Sequence, residues 1–160
     1  MPRKTTKSLI RAVPPDRVYQ STAVAKLINR VMLDGKKQLA ERLVYDGMQK
    51  AADKLKVQNP LEVFDQAMRN VSPHMETRSR RVGGANYQIP FEVKGQRQQH
   101  LTTMWFVEAV RARSGMPTDQ RIAAELVDAY NSTGAAVKKK EDSHRMAEAN
   151  RAFAHFARTS

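Results

Sequence analysis

The residues best suited to chemistry in this sequence are clustered cations. Three arginines, Arg78, Arg80 and Arg81, precede a glycine pair, Gly83 and Gly84. Guanidinium groups bind phosphate oxygens through paired N–H···O bonds, so arginines gathered on a projecting segment are typical of a surface that binds a polyanion. We expect these charges to have no local partner, and we interpret the segment as a nucleic-acid contact.

Two further basic clusters support this interpretation. One is a lysine run at the expected start of the last helix, where cations oppose the helix dipole unless an anion neutralises them: Lys138, Lys139 and Lys140. The other lies near the amino terminus, in a stretch without hydrophobic periodicity: Arg3, Lys4, Lys7 and Arg11. Such a stretch is typical of an arm that becomes ordered when it binds.

Catalytic and metal-binding patterns are missing from the sequence. With no cysteine, thiolate zinc sites, disulfides and cysteine nucleophiles are excluded. The four histidines are scattered, and His144 with Glu148 is most simply a surface pair one helical turn apart. The Gly35-Lys36 step lacks the upstream glycine and the following Ser or Thr of a phosphate-binding loop. We therefore expect no enzyme activity, no cofactor and no metal.

Length and charge indicate one basic globular domain. The chain has 160 residues, with 28 Lys and Arg against 16 Asp and Glu, for a formal charge of +12. Hydrophobic residues make up 41% and charged residues 28%, a balance that supports a packed core. No window is apolar enough to span a bilayer, and no signal peptide is evident, so we expect a cytoplasmic protein without a membrane partner.

Apolar residues at helical spacing predict three helices in the first half of the chain. The first begins at Ser21 or Thr22 and stops at Asp34. The second follows at once, with Asp34 available as its N-cap. The third begins at Asn59, because Asn can cap a helix and Pro60 suits its first position.

Three more helices are expected in the second half. Helical spacing returns at Leu101 and ends before Ser114, and a fifth helix begins at Thr118. The sixth follows Gly134 and is expected to bury one face: Met146, Ala149, Phe153 and Phe156.

Between the third and fourth helices the period changes to two. Apolar residues alternate with polar ones along one strand: Tyr87, Ile89, Phe91 and Val93. A matching alternation precedes the glycine pair, so a β-hairpin that closes at the glycines is predicted. Two strands cannot form an independent sheet, so the apolar face must be covered by the helices or by a partner, and RNA bases could stack on its aromatic residues.

The predicted fold class is mainly α, a six-helix domain with a protruding two-stranded β-hairpin arm inserted between the third and fourth helices. The predicted organisation is a basic N-terminal arm over residues 1–20, a single helical domain over 21–156 with the β-ribbon at about 74–93, and a short tail over 157–160.

Three sequence runs carry a resemblance to a known family. The hairpin reads SRRVGG at 79–84 and YQIP at 87–90, the last helix reads AVKKKED at 136–142 and HRMAEAN at 144–150, and DGKK stands at 34–37. Together they resemble the S-seven family of small-subunit ribosomal proteins. The likeness extends from about Asp16 to Phe156.

The resemblance implies a structural protein of the small ribosomal subunit, in the cytoplasm. Members of the family bind the 3′ major domain of the small-subunit rRNA, nucleate assembly of the head, and lie beside the mRNA exit channel and the exit-site tRNA. Neighbouring head proteins of the S-nine and S-eleven families are the expected protein partners.

The resemblance also implies a role for individual residues. The arm near tRNA and mRNA would comprise Arg78, Arg80, Arg81, Gly83, Gly84 and Tyr87. The rRNA-binding residues would be Arg3, Lys4, Lys7, Lys36, Lys37, Lys94, Arg97, Lys138, Lys139, Lys140 and Arg145. The loop after Val93 departs from the family pattern, and Lys94 and Arg97 are the cations through which it could contact phosphate.

Two other functions remain open at this point. A DNA-bending architectural protein could use the same combination of helices and a ribbon that carries a proline. A basic nuclease could use His74 or His100 with Glu76 or Glu92, although no second carboxylate is placed to hold a metal.

Overall fold

Six α-helices and one β-hairpin form the described part of the protein, a computed structural model that describes residues 12–157. The helices are α1 Thr22–Val31, α2 Lys37–Leu55, α3 Pro60–Val71, α4 Gly95–Ala112, α5 Thr118–Tyr130 and α6 Gly134–Ala149. The strands β1 Met75–Val82 and β2 Ala85–Glu92 lie between α3 and α4, and a 3₁₀ helix, Arg151–Ala157, follows α6. The predicted fold class is confirmed.

Helix α5 is the centre of the core, because it packs against α2, α3, α4 and α6. Its Ile122 and Leu126 are fully buried, as are Met48 of α2, Phe64 of α3 and Phe106 of α4. Burying one such side chain contributes about 1.5–3 kcal/mol, so these apolar faces account for much of the packing of the five helices. The helical spacing of apolar residues thus predicted the inward faces of α2, α3, α4 and α5.

The start of α2 differs from the prediction. Asp34 does not cap this helix, because Asp34 and Gly35 both adopt left-handed backbone conformations, with φ of 52° and 71°. They form the turn after α1, and α2 begins two residues later, with Lys36 at its N-cap position. The caps predicted for α1 and α3 are confirmed, since Ser21 accepts a bond from the Val24 N–H and Asn59 accepts one from the Leu61 N–H.

Helix α4 begins earlier than predicted. The segment after Val93 was expected to be a loop, but residues 95–100 form the first turns of α4. These residues are mostly exposed, so they show no apolar periodicity, although Gln and Arg are good helix formers. The turns are tied to the segment that leads from α3 into β1, because the Gln98 side-chain amide donates to the Pro73 carbonyl at 3.0 Å.

The last helix is shorter than predicted. α6 ends at Ala149, and the chain continues as the 3₁₀ helix. Met146, expected inside, is 54% exposed, and α6 instead buries Ala136, Val137 and Ala147. The predicted face was wrong because it ran through Phe153 and Phe156, which belong to the 3₁₀ helix. A 3₁₀ helix repeats every three residues, so those two phenylalanines lie on the same side.

The hairpin closes with a two-residue turn, as predicted. Val82 pairs with Ala85, and Gly83 and Gly84 between them have φ of 57° and 90°. Two consecutive positive φ values are what a type I′ turn requires, and glycine adopts them without steric cost.

The base of the hairpin is held by hydrogen bonds to the helical body. The His74 N–H donates to Nε2 of His144 at 3.0 Å, and the Ser143 hydroxyl donates to the Met75 carbonyl at 3.1 Å. Burial lowers the pKa of His144, and the charges of Lys140 and His74 lower it further. The neutral imidazole is therefore the form that α6 offers to the hairpin.

Helices α2 and α5 approach closely at Gly47. A Cβ atom at this position would lie 2.7 Å from Cγ2 and 2.9 Å from Cβ of Ile122. The Ile122 side chain is β-branched and fully buried, so it has little room to move away. Glycine is needed here for space.

We expect Gly47→Ala to destabilise the protein. A contact of 2.7 Å favours the upper part of the range of about 1–3 kcal/mol for overpacking, and the roughly 1 kcal/mol that Ala gains over Gly in a helix offsets part of that cost, for a net loss of up to about 2 kcal/mol. Urea denaturation measures the change. Gln49→Ala, on the exposed side of the same helix, is the control and should be close to neutral. A Gly47→Ala variant as stable as the wild type would contradict the close approach.

We expect stability to fall between about pH 7.5 and 5.5, around the ordinary histidine pKa of about 6.5. Because the folded-state pKa of His144 is lowered, the unfolded chain binds a proton that the native state does not, so stability falls as pH decreases. His144→Gln keeps an acceptor and should flatten the curve of unfolding free energy against pH.

His100→Gln is the comparison for this experiment. The pKa of His100 is also lowered, by burial and by Arg30 and Arg97, so His100 contributes a slope of the same sign. Part of the pH dependence should therefore survive in His144→Gln. A slope as steep as that of the wild type in His144→Gln would show that this imidazole does not hold the hairpin.

Candidate nucleic-acid interface

The register of the hairpin divides its arginines between two faces. Arg78 lies opposite Ile89, and Arg80 lies opposite Tyr87. Directly opposed residues of antiparallel strands point to the same side, so these two arginines share a face with the apolar residues of β2. Arg81 points to the other side, because successive residues of a strand alternate. All three are exposed, and the arm presents cations on both faces.

One buried carboxylate binds two of the predicted contact residues. Oε1 of Glu76 accepts from Nε of Arg78 at 2.6 Å and also pairs with its Nη2. Oε2 accepts from Nε and Nη2 of Arg97 at 3.1 and 2.8 Å. The Glu76 side chain is 8% exposed, whereas those of Arg78 and Arg97 are 54% and 49% exposed. The carboxylate therefore lies inside, with two guanidiniums over it.

The two arginines keep Glu76 ionised. Burial alone would raise the pKa of Glu76, but the hydrogen bonds and charges of Arg97 and Arg78 outweigh burial and lower the pKa below its ordinary value. The expectation that the arm charges have no local partner is therefore wrong for Arg78. Its partner precedes it by only two residues, so the signal was present in the sequence.

The apolar face of β2 is covered by the chain itself. The Tyr87 ring lies 5.1 Å from the ring of Phe153 and 5.5 Å from that of Phe156, and β2 packs against the 3₁₀ helix and α6. Ile89 and Val93 are buried. The cover that was expected from the helices or from a partner comes from the C-terminal residues.

The lysine run of α6 is divided by burial. Lys138 and Lys139 are exposed on the second turn of the helix. Lys140 is half-buried, and its ammonium donates to the Asn70 carbonyl in the last turn of α3 at 2.5 Å. A cation at this end of a helix interacts favourably with its terminal carbonyls. Lys140 thus serves the fold, and the other two lysines face outward.

The remaining predicted contact residues of the described chain are exposed. Lys37 is the first residue of α2, and Lys36 lies 3.9 Å from Asp34 across the turn before it. Two other cations have acidic neighbours on the surface, with Lys94 at 2.8 Å from Glu92 and Arg145 at 3.4 Å from Asp142. Exposed pairs of this kind contribute little to stability, so these cations can exchange partners readily.

Three predicted contact residues, Arg3, Lys4 and Lys7, lie outside the described residues.

The predicted N-terminal arm extends into the described part of the chain, where it is tied to the domain. The buried Asp16 carboxylate accepts from the Ser21 N–H at 2.7 Å and from the Tyr45 hydroxyl of α2 at 3.2 Å.

Sequence reasoning missed a basic groove between α1 and α4. Lys26 donates to the Gln99 side chain at 2.6 Å, and Nη2 of Arg30 donates to Nδ1 of His100 at 2.9 Å. Both cations line a groove that is also lined by Ala12 and Val13, the first residues that the structure describes. The signal was their spacing of four residues, which places them on one face of α1.

The groups considered for catalysis are engaged elsewhere. Glu76 binds two arginines, His100 binds Arg30, and the ring of His74 stacks on that of His144 with centroids 6.0 Å apart. Across residues 12–157, no three His, Asp or Glu side chains gather closely enough to hold a metal ion. None of the helices described there is long and apolar enough to cross a membrane.

Comparison with known proteins agrees with the geometry. Residues 2–151 match the family model described as ribosomal protein S7p/S5e. The chain is 56% identical over 148 residues to small ribosomal subunit protein uS7 of Chloroflexus aggregans, covering 92% of this chain and 94% of that protein. It is 57% identical over 147 residues to the uS7 protein of Thermotoga petrophila, with the same coverage.

A third relative, the uS7 protein of Kosmotoga olearia, is 55% identical over 150 residues, which cover 94% of this chain and 96% of that protein. Identity at this level, over nearly the whole of both chains, confirms the resemblance drawn from the hairpin, the last helix and the turn before α2. The chain belongs to the ribosomal protein S7p/S5e family.

Proposed function

We propose that this chain is a structural constituent of the small ribosomal subunit that binds the 3′ major domain of the small-subunit rRNA and nucleates assembly of the head. Through the hairpin arm it contacts the exit-site tRNA and the mRNA exit channel. It is a bacterial-type ribosomal protein of the cytoplasm, works in translation and is not an enzyme.

The observation that carries this proposal is the division of the α6 lysines. The Lys140 ammonium binds the Asn70 carbonyl of α3, whereas Lys138 and Lys139 point outward and form no hydrogen bond or ion pair in the described part of the chain. Exposed cations that do not stabilise the domain suit a ligand rich in phosphate. Lys36 and Lys37 form a second exposed site of this kind.

Recognition of a folded RNA through such sites is mainly recognition of shape. The major groove of an RNA helix is deep and narrow and admits few side chains, so the cations contact the phosphate backbone. Specificity then depends on where the rRNA places its phosphates. A rigid helical body that holds its cations at fixed separations can read such a pattern.

The arm has a separate task in this proposal. Its base is fixed to α4 through Arg97 and to α6 through Ser143, and its tip carries exposed cations on both faces. A projecting ribbon of this form can reach tRNA and mRNA while the helical body binds rRNA. Neighbouring head proteins of the S-nine and S-eleven families complete the proposed partners.

We expect binding of a 3′ major domain transcript to depend steeply on salt. The logarithm of affinity should fall by about 0.7–0.9 per phosphate contact for each unit of log salt. Removing two contacts by Lys138→Gln with Lys139→Gln should therefore reduce the slope by about 1.4–1.8. Filter-binding titrations over a range of salt concentrations measure both values.

Lys54→Gln with Lys56→Gln is the matched control. It removes the same charge from exposed residues at the C-terminal end of α2. This end lies roughly 28 Å from Lys36 and Lys37 at the start of the helix, at 1.5 Å per residue, so the salt slope should not change. Duplex DNA should compete poorly with the transcript. An affinity that salt does not change, or that duplex DNA abolishes, would contradict the proposal.

We expect a shortened arm to leave rRNA binding nearly intact. Replacing residues 81–86 by Asn-Gly keeps the register and the contact of Tyr87 with Phe153, and shortens the arm by two residue pairs. It removes one cation, Arg81, and so at most about 0.7–0.9 from the salt slope. In reconstituted small subunits the same variant should change retention of the exit-site tRNA. Loss of rRNA binding as large as in the α6 double variant would show that the arm and the body do not act separately.

A further inference from the structure

A buried carboxylate at the base of the arm is unexpected on a surface that binds a polyanion. Glu76 repels phosphate, yet it lies beneath two arginines among the proposed contact residues. If it served only to hold the fold together, an apolar pair could do the same without the cost of burying charge. Its position beneath two half-exposed guanidiniums suggests another task.

We propose that Arg78, Glu76 and Arg97 form a phosphate-binding subsite, in which Glu76 positions the two guanidiniums for one phosphodiester of RNA. The inference rests on the proposed function, because it assumes an RNA ligand, and it adds a positioning residue that carries the opposite charge to its neighbours. Glu76 makes no contact with RNA in this subsite.

The bonds to Glu76 leave the outer edge of each guanidinium open to a second acceptor. Both arginines use Nε and Nη2 toward the carboxylate. A guanidinium has five N–H donors, so the two protons on Nη1 and one on Nη2 remain for an oxygen on the other side. That edge matches two oxygens of a phosphate.

The same bonds hold the two guanidiniums in place before RNA arrives. Each arginine binds a different oxygen of a single carboxylate, which restrains both guanidiniums at the same site. The Phe91 ring supports Arg78 from below, with its centroid 5.4 Å from Cζ. Arg97 comes from α4 and Arg78 from β1, so the subsite also spans the junction of the arm with the body.

Two opposing effects decide the sign of the net contribution of Glu76. Repulsion between its charge and a phosphate about 6 Å away weakens binding by about threefold at the dielectric constant of water, and by more at the lower dielectric constant of a partly buried site. Ordering two long side chains in advance saves an entropy cost worth about tenfold or more in affinity. The subsite requires positioning to exceed repulsion, so loss of the carboxylate should weaken RNA binding although it removes a negative charge.

The test compares Glu76→Gln with Glu92→Gln in the full chain, by filter binding to the 3′ major domain transcript at one salt concentration. Both variants remove one negative charge from the base of the arm, but Glu92 is exposed and pairs with a single lysine. We expect Glu76→Gln to bind at least about threefold more weakly than wild type, and Glu92→Gln to bind equally or up to about threefold more tightly. Equal or tighter binding by Glu76→Gln would overturn the proposal.

Arg97→Lys is the second variant, and it carries the test if Glu76→Gln does not fold by circular dichroism. It keeps the charge and an ion pair with Glu76 but loses the fork. The subsite predicts weaker binding with an unchanged salt slope, whereas a purely structural anchor predicts unchanged affinity. An affinity equal to that of the wild type would overturn the proposal.

The experiment also separates this inference from the proposed function. If the wild-type chain fails to bind the transcript, the proposed function fails and the subsite fails with it. If the wild type binds with a steep salt dependence and only the Glu76 effect is missing, the subsite alone is wrong.

Discussion

Mutual repulsion among cations is the constraint under which this domain folds. A net charge of +12 on a chain of 160 residues opposes the compact state. The buried carboxylates of Glu76 and Glu125 reduce the repulsion by binding arginine guanidiniums. Glu125 is fully buried, binds Arg113, and accepts from the Ala136 N–H at 3.0 Å, while Asp128 pairs with the same arginine. The repulsion that remains lies on the surface, where a bound polyanion would relieve it and thereby stabilise the folded state.

The sequence predicts those features whose causes are local. A period of two next to a glycine pair is enough for the hairpin, because the turn itself requires positive φ at both glycines. Asn59 followed by Pro60 predicts the start of α3, since the cap and the fixed φ of proline act within one turn. Spacing of apolar residues identifies the inner faces of α2 and α5. These signals do not depend on what lies across the fold.

Features that depend on distant partners were not predictable in the same way. Arg97 and Glu76 are separated by 21 residues, and Lys140 binds a carbonyl 70 residues away. A lysine run therefore looks uniform in the sequence, although one member belongs to the fold. The first turns of α4 were missed for a related reason. They are exposed, and the residues to which they bond, Pro73 and Glu76, lie 25 and 21 residues away in the sequence. The break after Ala149 likewise reflects the packing of Phe153 on Tyr87.

Anchoring of the arm at its base determines what its tip can do. The hairpin is bound to α6 through the Ser143 hydroxyl, to α4 through Arg97, and to the 3₁₀ helix through Tyr87. An arm held on three sides has lost most of its freedom before binding, so contacts at the tip are not offset by the entropy of ordering the arm. The orientation of the helical body on RNA then sets the position of the tip.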